Sequence, residues 1–96
     1  MFKNKTILVT GGTGSFGKAL ISNIISKHSN FKKLIVFSRD ELKQHEMLQN
    51  KIYQHKNLRM ILGDIRDFRS IKRALQTVDI IIHAAALKQV PTAEYN

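Results

Sequence analysis

Thr6-Ile7-Leu8-Val9-Thr10-Gly11-Gly12-Thr13-Gly14-Ser15-Phe16-Gly17 is the stretch whose reading decides the fold. Thr6 to Thr10 is β-branched and apolar and carries no charge, the pattern of a strand buried on both faces. Four glycines follow within seven residues. Gly12-x-Gly14-x-x-Gly17 matches the dinucleotide-binding fingerprint, and Gly11-x-x-Gly14-x-x-Gly17 matches its three-spaced variant. In such a loop an early glycine makes the tight turn. A middle one lets the backbone approach a pyrophosphate, and the last lets the helix pack close to the sheet. The anion then rests on free N–H groups at the positive end of the helix. Thr13, Gly14, Ser15 and Phe16 are therefore the expected pyrophosphate contacts.

Outward from this loop the chain alternates strand and helix, which predicts a parallel sheet with crossover helices. A helix is expected from Ser15 or Phe16 to about His28, with Phe16, Leu20 and Ile24 on its inner face and Ala19 and Ile25 beside them. Lys33 to Phe37 reads as the second strand. Ser38-x-x-Glu41 reads as a capping box that opens a second helix, whose apolar face is Leu42, Met47, Leu48 and Ile52. Leu58 to Leu62 is the third strand. Asp67 is the expected N-cap of a third helix, packed through Phe68, Ile71, Leu75 and Val78. Asp79 to His83 is the fourth strand, and Pro91 is placed to start a further helix. Right-handed crossovers then give an α/β doubly wound parallel sheet in the order 3-2-1-4. This is the first part of a dinucleotide-binding sheet, ending at an uncovered fourth strand. The 96 residues allow one small domain, and the expectation is that they are a truncated piece of a longer enzyme.

In a sheet of this kind the ligand lies beyond the C-terminal ends of the strands. After the second strand an NAD site puts an acid for the ribose 2′-hydroxyl, and an NADP site puts a cation for the 2′-phosphate. This chain has Ser38-Arg39 there and Lys43 one helical turn on. The planar Arg39 fork suits a phosphate, and a cation at a helix start is electrostatically unfavourable without an anionic partner. NADP is therefore the expected cofactor, with NAD the lesser alternative kept open by Asp40. Asp64, after the third strand, is placed to accept from an adenine amino group, with Ile65 beside the ring. The small Ala84, Ala85 and Ala86 let a cofactor lie against the backbone. Lys88 is placed near the nicotinamide end. His83 reads as a satisfied core residue. His45 and His55 read as surface residues without companions at metal-ligand spacing, so no metal site is expected.

Composition narrows the classes. No cysteine is present, which excludes disulfides and fits a reducing compartment. No apolar run reaches the ~18 residues of a membrane span, and the N-terminus lacks the apolar region of a signal peptide. A cytoplasmic location away from membranes is expected. The net charge of +9 calls for an anionic partner. Its lysines and arginines are dispersed, however, with no basic stripe interleaved with aromatics. Nucleotide phosphates, rather than nucleic acid, are the expected counterpart.

Four blocks occur together and in order: Thr10-Gly-Gly-Thr-Gly-Ser-Phe-Gly17, Phe37-Ser-Arg-Asp-Glu-Leu-Lys43, Gly63-Asp-Ile-Arg-Asp67 and His83-Ala-Ala-Ala-Leu-Lys-Gln-Val-Pro91. The set resembles the N-terminal part of the inverting UDP-N-acetylglucosamine 4,6-dehydratases. These are extended short-chain dehydrogenase/reductases, with a Rossmann-like fold, of surface-polysaccharide and pseudaminic acid biosynthesis. Ala93-Glu-Tyr-Asn96 resembles the pseudaminic acid branch. The resemblance implies pyrophosphate contacts at Thr13, Gly14, Ser15 and Phe16, and a 2′-phosphate loop of Ser38, Arg39, Asp40, Glu41, Leu42 and Lys43. It implies adenine contacts at Asp64 and Ile65, and ribose or nicotinamide contacts at Ala84 and Lys88. Lys88 also faces the UDP-sugar substrate. The implied reaction oxidises C4 of the sugar, eliminates water across C5 and C6, and returns the hydride to C6 with inversion at C5. The full-length enzymes are expected to form homo-oligomers. The family's Thr-Asp-Lys segment and Tyr-x-x-x-Lys pair have no counterpart in these residues. No catalytic residue is therefore expected in this chain, and it is expected to be inactive alone. A stand-alone nucleotide-binding module and another NAD-dependent sugar-nucleotide epimerase or dehydratase are the rival readings.

Overall fold

Four strands, β1 (Thr6–Thr10), β2 (Lys33–Ser38), β3 (Leu58–Leu62) and β4 (Ile80–His83), form one parallel sheet in the order β3-β2-β1-β4 in the computed structural model, which describes residues 2–84, Ser70 through its backbone alone. This is the expected doubly wound, Rossmann-like sheet. Its register pairs Leu8 with Ile35 and Ile81, and Val36 with Met60. All five residues of β1 are buried, as are the last five of β2. Continuous apolar runs go to the centre of a parallel sheet, where both faces are covered.

Helices α1 (Ser15–Lys27), α2 (Glu41–Leu48) and α3 (Phe68–Ala74) make the crossovers, with a short 3₁₀ turn at Lys51–Tyr53. On one face Ile7, Val9, Leu34 and Val36 pack with Ile21 and Ile24 of α1, Met47 of α2 and Tyr53. On the other, Leu8, Ile35 and Phe37 meet Ala74 of α3, with Ile71, Leu75 and Val78 packed around them.

Several helix faces differ from the pattern read in the sequence. On α1 the buried residues are Gly17, Ile21 and Ile24, and Phe16 is 44% exposed. Gly17 must face the loop, and this rotates the stripe so that Ile21 replaces Phe16. The face expected for α2 is mostly outside: Leu42, Leu48 and Ile52 are exposed, and the inward residues are Gln44 and Met47, three apart. The capping box does not form. Ser38 is the last residue of β2, and Asp40 is the N-cap, its side chain accepting from the Lys43 N–H at 3.0 Å. On α3, Asp67 Oδ1 accepts from the Arg69 N–H at 3.0 Å, as an N-cap should, while Phe68 is exposed. Strand β4 lies at the edge with Ile81 46% exposed. The expectations for Ala85, Ala86, Lys88 and the Pro91 helix fall outside the described residues.

Candidate functional site

The β1–α1 loop is built by its glycines. Gly11 takes a φ of 69°, a left-handed conformation that favours glycine. A Cβ at Gly17 would collide with the Gly11 carbonyl and lie 2.6 Å from Gly12 Cα. Glycine is thus demanded there by the fold itself. Gly14 differs. It is the N-cap of α1, with φ −76° and ψ 172°, and a Cβ there would meet only the Gly11 carbonyl at 3.6 Å. Among the described residues nothing else comes within 4 Å of that position. The first α1 amides, from Ser15 on, have no acceptor inside the helix, and Gly14 has no side chain with which to cap them. Backbone donors at the positive end of a helix, open to close approach, fit the pyrophosphate of a dinucleotide.

Beside the loop, where β1, β2 and β3 end, lies a cavity of about 390 Å³. Thr10, Gly11 and Thr13 line it from β1, Phe37 to Asp40 and Lys43 from β2 and α2, and Gly63 to Arg66 from β3. Thr13 and Lys43 also line a second hollow, of about 480 Å³, which continues past Gly14 and Ser15 to Tyr53. Three cations face two carboxylates in the first cavity, so an anion is the favoured occupant. The expected site residues from all three strand ends therefore come together. Glu41 and Leu42 do not reach this lining; both sit on the exposed side of α2.

Asp64 is the electrostatic pivot. The Arg66 guanidinium grips it, with Nε 3.1 Å from Oδ1 and 3.2 Å from Oδ2, and Nη2 2.8 Å from Oδ2. The Arg66 N–H donates to Oδ1 at 2.9 Å. Arg39 reaches the same carboxylate through a single contact, Nη1 to Oδ2 at 3.5 Å. The Arg66 hydrogen bonds hold the Asp64 carboxyl well below the usual carboxylate range, with Arg39 adding a smaller attraction. Asp64 is both a turn aspartate and an ionised acceptor at the cavity lip.

Two neighbours of the site were not assigned a role from sequence. Gln44 is buried and its Nε2 donates to Ser38 Oγ at 2.9 Å and to the Ile61 carbonyl at 3.0 Å. It ties α2 to the ends of β2 and β3. The one signal for it was its spacing from Met47. Arg66 stands inside the Gly63-to-Asp67 block, and only the folded turn brings its side chain back onto Asp64. His83 is exposed, with its Nδ1 2.8 Å from Thr10 Oγ1 at the end of the sheet. It is satisfied, as expected, but not in the core. Ala84 is buried against the α1 face of the sheet. No helix among the described residues is long and apolar enough to cross a membrane.

Known proteins resemble this chain in sequence and in fold. The chain is 48% identical, over its whole length, to a UDP-N-acetylglucosamine 4,6-dehydratase (inverting) of Campylobacter jejuni, and spans 28% of that protein. It is 45% identical over 99% of its length to a UDP-glucose 4-epimerase of Rickettsia typhi, again spanning 28%. Among solved structures, Pen from Bacillus thuringiensis superposes with a TM-score of 0.81 at 36% identity, covering all of this chain and 29% of that one. A short chain dehydrogenase from Bacillus anthracis shares the fold, with a TM-score of 0.72 at 21% identity over 90% of this chain and 36% of that one. The chain thus spans little more than a quarter of the curated relatives it matches. Residues 7–96 match the family described as polysaccharide biosynthesis protein, and the chain belongs to that family.

Proposed function

We propose that this chain is the cofactor-binding N-terminal segment of an NADP-dependent, C5-inverting UDP-N-acetylglucosamine 4,6-dehydratase of surface-polysaccharide or pseudaminic acid synthesis. The observation that carries the cofactor half is the cavity at the strand ends, with Arg39 and Lys43 on its wall and the open Gly14 turn beside it. When bound, the nicotinamide would supply hydride acceptance and return. The chain's own residues do the holding. Thr13, Gly14, Ser15 and Phe16 offer the pyrophosphate their backbone. Arg39 and Lys43 take the 2′-phosphate, with Ser38 at the base of the cavity. Asp64 and Ile65 receive the adenine, and Ala84 and Lys88 are assigned to the nicotinamide end through the family resemblance. Lys88 also meets the sugar nucleotide. Residues 1–96 form this segment alone, and the chemistry is carried by the remainder of the cytoplasmic, homo-oligomeric enzyme.

Replacing Arg39 with Ala tests the site. A charge-assisted contact to phosphate predicts that NADP affinity falls about tenfold or more, with NAD affinity unchanged, in a calorimetric titration. Equal losses for both cofactors would refute the assignment.

The Rickettsia relatives favour a second reading, a 4-epimerase on a UDP-sugar. The product distinguishes the two. A dehydratase product is lighter than its substrate by one water in the mass spectrum, and an epimerase product has the same mass.

A further inference from the structure

We infer that Arg66 is a positioning residue that sets the NADP-over-NAD preference by keeping Asp64 away from Arg39. The inference rests on the 2′-phosphate reading of Arg39 given above. Asp64 and Arg39 lie on opposite lips of one cavity, 3.5 Å apart at their nearest polar atoms. A carboxylate that close competes directly with a phosphate for the Arg39 guanidinium. Arg66 removes the competition. Its Nε and Nη2 occupy both Asp64 oxygens, and its own N–H holds Oδ1 as well. Held in this way, Asp64 keeps Arg39 by one long contact only. The Arg39 fork stays near the cavity, oriented but available to an incoming phosphate.

Planarity matters here. A bidentate guanidinium covers both oxygens of one carboxylate, which a lysine ammonium does not do. Without Arg66, the cationic partner left to Asp64 among the described residues is Arg39. The pair would close, and the 2′-phosphate would have to break it. NAD has no such phosphate, so its affinity is spared. The effect is therefore on preference and not on binding as a whole. Arg66 itself is well placed for a clean test. Its side chain is 73% exposed, so its removal leaves the core untouched.

The experiment is calorimetric titration of the full chain, native and as R39A, R66A and D64N/R66A, with NADP and with NAD. The ratio of the two affinities is the readout, because any loss of adenine contact at Asp64 affects both cofactors alike. R66A is expected to lower the NADP-over-NAD ratio by about two- to fivefold, the range of an exposed ion pair. D64N/R66A, which removes the competing charge, is expected to return the ratio to the native value. An unchanged ratio in R66A, or a ratio that stays low in D64N/R66A, overturns the inference while the Arg39 assignment stands. A native chain without NADP preference, or an R39A chain that keeps it, overturns both.

Discussion

Gly14 separates what the fold needs from what a ligand needs. Gly11 and Gly17 are fixed by a left-handed φ and by a backbone collision. Gly14 is fixed by neither, since a methyl group there meets only ordinary contact at 3.6 Å. Gly14→Ala should therefore cost little stability, under about 1 kcal/mol for a weaker N-cap. Dinucleotide affinity should drop about tenfold or more, since the methyl group stands where a pyrophosphate approaches the backbone. A thermal melt and a titration on the same sample check the two halves. Asp64 makes a different point at this scale. Its carboxyl is depressed in the folded chain by Arg66. Stability from such a group is fully present above the unfolded carboxylate value of about 4, declines as pH falls below it, and is gone once pH has passed the depressed folded value. Between pH 5 and 8 Asp64 is ionised throughout and contributes no pH dependence of its own.

At the level of elements, the β2–α2 junction is where the sequence pattern and the structure part. The second strand was legible from its apolar run, but Ser38-x-x-Glu41 pointed to the wrong cap. The run of burial continues through Ser38, so β2 holds that residue and Asp40 becomes the cap instead. Ser38 then turns its hydroxyl to Gln44, a buried polar contact that no local pattern announces. Hydrogen bonds between a helix and the ends of two strands depend on tertiary placement, and sequence spacing carries almost none of it. Gln44→Leu should destabilise the chain by about 1–3 kcal/mol, because it removes the donor to a buried acceptor at Ser38 and a half-buried one at Ile61. Urea unfolding measures this. A loss within a few tenths of a kcal/mol would mean that α2 is held by Met47 alone.

For the molecule as a whole, the sheet order, the crossovers and the glycine loop were all readable in advance. Strand periodicity and right-handed connection leave few alternatives. That the strand-end residues meet was readable for a related reason: in this topology, residues that follow strands converge at one edge of the sheet. Thr13, Ser38, Arg39, Lys43 and Asp64 do so around one cavity. What spacing could not convey was the competition among the charges once they met there. The chain's excess of positive charge, +9, favours an anionic ligand from a distance, whereas the proposed preference for NADP over NAD rests on a few atoms at the end of β2. Paired titrations with NADP and NAD at pH 5 and pH 8 test this central claim most directly. A phosphomonoester takes its second charge near pH 6, while Asp64 keeps the same charge across that window. The account predicts tighter binding of NADP than of NAD, with the gap widening from pH 5 to pH 8. Equal affinities at both pH values, or no binding of either dinucleotide, would contradict it.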